Sequence, residues 1–499
     1  SGWRGTLGKD VFLKSVGSVT EAIVDLYKLA DSDPDLHPHL GVNSFEEARQ
    51  RGCLVGWDNR FGGEILGRCV ADTLLKHGFK VYFCGESTTG VLSASLLELQ
   101  AAFSVNLTPS HNPLDYGGYK YNAADGGPAA SQLTSFITDK SRERIDGAAE
   151  IETVGISGGG ELIEIDSFAL WQQLVDSSKE VHRIDYRALI EQVADHPDME
   201  VVIDSVHGAS RLHIKRLLGP AVNKLEHLRG EPDVTFGGIA PEPSSKNMSM
   251  VTERLQKSQK NLKIGAIIDP DADRIRFTDG TSEISMNQFG AMAYHFLHEY
   301  KKLNGMVAKT VATSNLANSV AATLGEELFE TKVGFKEFKP VIGKALVYFE
   351  ESDGISVIGH TPEKDAYIGL LLALDMVVAT GRNLSEIKRQ MDDIYGEFYP
   401  DRDGVLVSLK GDDLLKALAG LEKYEVGSTV KVGSREKTIK EIISKDGRKM
   451  IFEDDSWLMI RPSGTEPKVR FYVESRDPDG TTLLVEAAKS MLSEIGLLD

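Results

Sequence analysis

The sequence predicts an α/β protein: three similar α/β domains in series, followed by a C-terminal α+β domain. Three observations predict this. The chain has 499 residues, more than a single hydrophobic core organises. Short apolar strands recur at wide spacing, each ending in a polar turn that leads into a helical pattern. Beyond Asp401 the pattern changes to several strands and one closing helix.

In order along the chain, Leu54–Asp58 reads as a strand ahead of a helix over Gly63–His77. The apolar stretch Leu96–Leu107 reads as a strand running into a loop at Thr108. Val201–Asp204 ends at His207-Gly208, and a helical pattern follows. Ile264–Ile268 is a strand leading into an acidic loop. Thr310–Thr313 is a strand that ends at Ser314-Asn315, ahead of a helix over Leu316–Leu324. The last region offers strands at Val405–Val407, Val430–Val432, Trp457–Ile460 and Val469–Val473, then a helix over Thr482–Ile495. The expected domains are 1–165, 166–279, 280–398 and 399–499.

Charge narrows the partners. The 56 basic and 75 acidic residues give a net charge of -19, which lacks the basic footprint of a nucleic-acid or anionic-membrane partner. The apolar run Ile368–Ala379 is broken by Asp375 and is too short to span a bilayer. Cys53, Cys69 and Cys84 form no CxxC pair and read as buried reduced thiols, which fits a cytoplasmic protein. A local cluster of cations can still bind an anionic small substrate against the overall charge.

Four segments carry chemistry. In Thr108-Pro109-Ser110-His111-Asn112-Pro113, prolines stiffen the backbone around one hydroxyl, and no GxSxG elbow surrounds it. In Asp269-Pro270-Asp271-Ala272-Asp273-Arg274, an extended backbone would turn three carboxylates to one side, a set suited to Mg²⁺ or Ca²⁺. An EF-hand is excluded, because Arg274 and Gly280 stand where that loop needs Gly and Glu. Arg461-Pro462-Ser463-Gly464-Thr465-Glu466 offers a guanidinium fork, two hydroxyls and an approachable backbone, a combination suited to phosphate. Glu350-Glu351-Ser352, with Lys364 and Asp365 downstream, could accept bonds from sugar hydroxyls, and Gly334-Phe335-Lys336 is a weaker candidate.

A rigid serine, a metal triad, a carboxylate pair and a phosphate cradle, in that order and one per domain, resemble the α-D-phosphohexomutase superfamily. Ser1-Gly2-Trp3-Arg4-Gly5, Asp58-Asn59-Arg60-Phe61, Gly117–Asn122 and Pro241-Glu242-Pro243 are further similarities. The resemblance implies mixed sheets and four domains around a central cleft. It implies a phosphate on Ser110 and one Mg²⁺ per chain, held by Ser110, Asp269, Asp271 and Asp273. It implies Lys120 as first candidate for general base with His111 and Lys364 in support, and Arg4 and Arg60 steadying the serine loop. Glu350, Ser352 and Lys336 would bind the sugar, and Arg461, Ser463, Gly464 and Thr465 the non-transferring phosphate.

Glu350-Glu351-Ser352, His360-x-x-Glu363-Lys364-Asp365 and Gly126–Ala129 are similar to the phosphoglucomutase branch, although Ala366 stands where that branch has Gly. Gly354 stands where the glucose/mannose branch has His. The implied reaction interconverts glucose 1-phosphate and glucose 6-phosphate through glucose 1,6-bisphosphate, which is both intermediate and activator. The implied protein is a monomer or homodimer whose partner is a phosphorylated hexose. The alternatives are a phosphomannomutase, a dual glucose/mannose enzyme and a non-catalytic sugar-phosphate binder. A binder would have no need to keep the serine and the metal triad together.

Overall fold

The computed structural model describes residues 2–147, 159–463 and 468–498. Four sheets organise them, and the first three share one four-strand core. In the first domain that core is Cys53–Trp57, Lys80–Glu86, Phe103–Leu107 and Tyr116–Ala123. The spatial order is second, first, third, fourth; the first three strands run parallel and the fourth antiparallel. Met199–Asp204, Leu225–Leu228, Leu262–Ile268 and Ile275–Thr278 repeat it in the second domain. Val307–Thr310, Leu328–Thr331, Val347–Glu350 and Gly354–Val357 repeat it in the third. The parallel strands need crossovers, which are largely helical, whereas third and fourth strands join by a short loop. The serine, metal and sugar loops are therefore one topological position repeated three times.

Each of these loops holds one non-glycine residue in the left-handed region: Ser110 at φ 59°, Ala272 at φ 51° and Asp353 at φ 70°. Such backbone persists only where surrounding contacts fix it. The fourth domain is a six-stranded antiparallel sheet under the helix Gly480–Glu494.

Some expected strands end elsewhere. Leu96–Glu98 belongs to the helix Thr89–Glu98, whose first turn is capped by the Thr88 hydroxyl, and the strand begins at Phe103. The third domain's first strand is Val307–Thr310, because Val311–Thr313 forms a turn closed by the Thr313 N–H on the Thr310 carbonyl at 3.0 Å. The apolar run Ile368–Ala379 lies in the helix Ala366–Thr380, largely buried in the core. Among the described residues no single helix is long and apolar enough to cross a membrane; only Ala366–Thr380 and Leu384–Tyr395 pass together, bent by 79°.

One hydrophobic core runs through the second and third domains and takes in Val91 and Ala94 of the first. The fourth domain has its own core and meets the third through a small cluster that includes Val311, Ala312, Trp457, Met459 and Tyr472.

Candidate active site

The serine loop leaves the strand Phe103–Leu107 and is bound back to the sheet. The Ser110 N–H donates to Thr108 Oγ1 at 2.9 Å, and Thr108 Oγ1 donates to Asp58 Oδ2 at 2.6 Å. Arg60 gathers the loop's carbonyls: Nη2 donates to Ser110 at 2.8 Å, and Nη1 to Pro113 at 2.6 Å and Tyr116 at 3.3 Å. Arg4 Nε donates to the Pro109 carbonyl at 3.2 Å. Gly118 lets the neighbouring strand pass beneath, since a β-carbon there would lie 2.3 Å from the Thr108 oxygen.

The metal loop faces it. The extended backbone expected over Asp269–Asp273 is not what brings the carboxylates together. Asp269 Oδ1 instead accepts the N–H groups of Asp273 and Arg274, both at 3.0 Å, and closes a tight turn around Ala272. The result is the same convergence, with ligand-capable oxygens of Asp269, Asp271 and Asp273 all within 4.8 Å of one another and buried. Ser110 Oγ donates to Asp269 Oδ2 at 2.7 Å and lies 3.4 Å from Asp273 Oδ1. Asp271 Oδ1 is buried without a hydrogen-bond partner. Hard oxygen donors with one buried lone acceptor fit a divalent cation.

Two lysines balance this charge. Lys120 Nζ donates to Asp271 Oδ2 at 2.5 Å and Asp273 Oδ2 at 2.7 Å. Lys364 Nζ lies 3.3 Å from Asp273 Oδ2 and 3.4 Å from Glu350 Oε1. Burial, then Asp271 and Asp273, push Asp269 well above the usual carboxylate range. Burial acts the same way on Asp273, but Lys120 and Lys364 outweigh it and hold that carboxyl well below the range. Burial works against charge on Lys120, yet Asp271 and Asp273 raise its pKa, so it keeps its proton while they face it. His111 lies with Nδ1 3.3 Å from Ser110 Oγ, and burial followed by Arg274 pushes it well down, leaving a neutral ring.

The expected carboxylate pair divides. Glu350 faces Lys364, while Glu351 Oε2 accepts from Thr310 Oγ1 at 2.9 Å and Thr313 Oγ1 at 3.3 Å. Neighbouring residues at a strand end point opposite ways, so one acid reaches the cleft and the other braces the turn. Ser352 is half-buried beside them. Lys336 Nζ donates to Ser131 Oγ of the first domain at 2.7 Å. Arg461 Nη2 pairs with Asp446 at 3.2 Å, its Nε is buried without a hydrogen-bond partner, and the Ser463 N–H donates to the Lys468 carbonyl at 2.8 Å. Gly464 and Thr465 lie outside the described residues.

Sequence reasoning missed Thr89 and Asn106 and gave Glu363, quoted only as part of a motif, no role in the site. The Thr89 N–H donates to the Asp271 carbonyl at 2.8 Å and its Oγ1 to Asp271 Oδ2 at 2.6 Å, with Asn106 Nδ2 behind it at 3.1 Å. Glu363 is buried and accepts from Asn122 at 3.4 Å and from the Lys364 N–H at 3.0 Å. A Ser-Thr-Thr-Gly run before a helix signals a cap, and nothing local marks it as reaching another domain.

Four family models match in order: phosphoglucomutase/phosphomannomutase alpha/beta/alpha domain I over residues 39–146, domain II over 179–282, domain III over 285–395, and the C-terminal domain over 407–489. The chain is similar to a phosphoglucomutase/phosphomannomutase of Thermococcus kodakarensis, 26% identical over 90% of this chain and 91% of that one. It is similar to phosphoglucomutase 1 of Drosophila melanogaster, 25% identical over 85% and 84%. It is also similar to a phosphoglucosamine/phosphogalactosamine mutase of Sulfurisphaera tokodaii, 24% identical over 88% and 90%. Among solved structures, the open form of the Paramecium phosphoglucomutase parafusin shares the fold, with TM-score 0.72, 20% identity and coverage of 100% and 94%.

Proposed function

The chain belongs to the phosphoglucomutase/phosphomannomutase family, a family of phosphohexomutase enzymes, and from that premise we propose that it interconverts glucose 1-phosphate and glucose 6-phosphate through a phosphate carried on Ser110. The observation that carries this reading is the Ser110 hydroxyl, fixed by its loop, 2.7 Å from a buried aspartate triad drawn from another domain. Phosphoryl transfer asks a protein mainly for in-line positioning and charge stabilisation, and a fixed serine loop beside a cluster of buried charges supports that reading.

Asp269, Asp271 and Asp273 with Ser110 would hold Mg²⁺, which when bound withdraws charge from the phosphoryl oxygens. Arg60 and Arg4 fix the serine loop through its carbonyls, so the side chain meets its target without loop motion. The substrate's own phosphate rests on Arg461 and Ser463, joined by Gly464 and Thr465, and Glu350 and Ser352 orient sugar hydroxyls. The free hydroxyl attacks phospho-Ser110 and displaces the serine oxygen; the neutral His111 ring, with Nδ1 3.3 Å from Ser110 Oγ, takes the proton, while the protonated Lys120 offsets negative charge. The hexose 1,6-bisphosphate turns over in the cleft and returns its other phosphate to Ser110. Lys364 and Arg274 balance charge beside the triad.

The mass of the intact protein tests this directly. We expect one phosphate on Ser110, lost on adding glucose 6-phosphate, and no turnover from Ser110→Ala with its fold retained; wild-type turnover from that variant would overturn the reading. Relatives named for mannose and glucosamine favour a second reading, a mutase of another or broader hexose range. Specificity constants for glucose 1-phosphate against mannose 1-phosphate separate the two.

A further inference from the structure

We propose that His360 and Asp365 are positioning residues that hold the Lys364 ammonium between the metal loop and the sugar loop, an inference that rests on the mutase reading for its catalytic consequence. Asp365 is buried where three domains meet. Trp171 Nε1 of the second domain donates to its Oδ2 at 2.6 Å, and His360 Nε2 of the third donates to the same oxygen at 2.7 Å. Oδ1 accepts the Tyr367 N–H at 2.8 Å and caps the helix Ala366–Thr380. The first domain closes the remaining side: a β-carbon at Gly90 would lie 2.5 Å from the Asp365 carboxyl carbon. Gly90 follows Thr89, which bonds Asp271 twice.

This junction leaves Lys364 little freedom. The residue after Asp365 is also tied to the metal loop, because the Ala366 N–H donates to the Ala272 carbonyl at 3.0 Å. The Lys364 stem crosses the space that Gly354 leaves open, its Cδ lying 2.2 Å from where a β-carbon would be. Its ammonium then falls between Asp273 and Glu350, bridging the two loops.

His360 does not earn its place by packing. Its ring stands edge-on to Trp171 with centroids 6.0 Å apart, a contact any aromatic ring would make. Its Nδ1 is buried without a partner, a cost that an apolar ring would avoid. What the imidazole adds is the single N–H on Asp365, and Gln is the residue that can present an N–H at nearly that point.

The test combines a reactivity measurement with a mutant cycle. Acylation of Lys364 by acetic anhydride, read by mass spectrometry of the full-length protein, should be slow in the wild type and in H360Q and at least about tenfold faster in H360F and D365N, because local release exposes the amine. In turnover, H360F should lower kcat/KM by roughly tenfold or more and H360Q should restore most of it, while H360F/K364M should be no worse than K364M alone, the non-additivity expected of residues acting through one group. Thermal unfolding of H360Q and H360F within a few degrees of each other would show that the loss is not unfolding. Equal Lys364 reactivity in H360F and wild type, or fully additive losses in the cycle, would overturn the inference. If wild-type protein turned over no hexose phosphate while Lys364 reactivity still followed the pattern, the mutase reading would fall and the positioning would stand.

Discussion

At the scale of single residues, the site is a problem in charge. Three buried carboxylates are balanced by Lys120 and Lys364, and Asp269 accepts from the Ser110 hydroxyl and two backbone N–H groups instead of an ammonium. Asp269→Asn should therefore relieve repulsion and leave the metal-free protein as stable as wild type or more so. It should also shrink the rise in melting temperature that Mg²⁺ gives, since a ligand stabilises only through its affinity for the folded state. Scanning calorimetry with and without Mg²⁺ reads both effects. Arg60 is the second residue with a sharp expectation. Its planar fork reaches four carbonyls, of Ser110, Asn112, Pro113 and Tyr116, which a lysine ammonium cannot do. Arg60→Lys should lower kcat at least about tenfold, because a small misplacement of the nucleophile is costly. Steady-state kinetics on folded protein checks this. The serine and the triad were legible in sequence because proline, acid spacing and order are local signals, whereas Lys120 entered only through the family resemblance. Thr89 was not, because its partner Asp271 is 182 residues away.

At the scale of elements, a repeated loop position explains why three different chemistries share one cleft. In each of the first three domains the third strand ends at the site and the fourth returns antiparallel, so the loop between them must turn tightly and takes a left-handed residue. Close approach of the next strand is part of the design. Gly118→Ala should destabilise the first domain and displace Ser110, since the new methyl meets the Thr108 oxygen and Pro109 backbone, neither of which can yield. We expect a loss of about 2–4 kcal/mol in chemical denaturation, the usual cost of overpacking plus backbone shift. The Gly-Gly pair was visible in the sequence as a similarity, but its reason was not. Strand ends at Thr310 and Phe103 were also misplaced, because helix capping by Thr88 and the Thr313 turn override apolar runs.

At the scale of the whole molecule, the first three domains are joined through a shared core, and the fourth is attached by a smaller patch. That patch holds two buried lysines. Lys309 Nζ bonds the Thr313 carbonyl at 2.9 Å and Glu330 at 3.0 Å, and Lys449 Nζ bonds the Val311 carbonyl at 2.9 Å and stands over Trp457. Burial and then Lys309 bring Lys449 from 10.5 down to about 7. Between those values the unfolded chain binds the extra proton, so stability should rise with pH across that window by up to about 1.4 kcal/mol per unit, with the penalty complete below it. Lys449→Met should flatten that slope, as denaturation between pH 6.5 and 9 would show. If the fourth domain swings on this patch during the proposed reaction, small-angle scattering should show a more compact particle with ligand than without; identical curves would argue against it. The sequence by itself determined the family, the number of domains and the order of the site segments, because strand-and-turn patterns and short motifs are written locally. Only the tertiary structure decided which of two adjacent glutamates faces the cleft, that Lys336 bonds Ser131 of the first domain, and that Asp365 joins three domains. Those outcomes depend on contacts between residues far apart in the chain, where packing and buried charge select one arrangement from many that the local pattern allows.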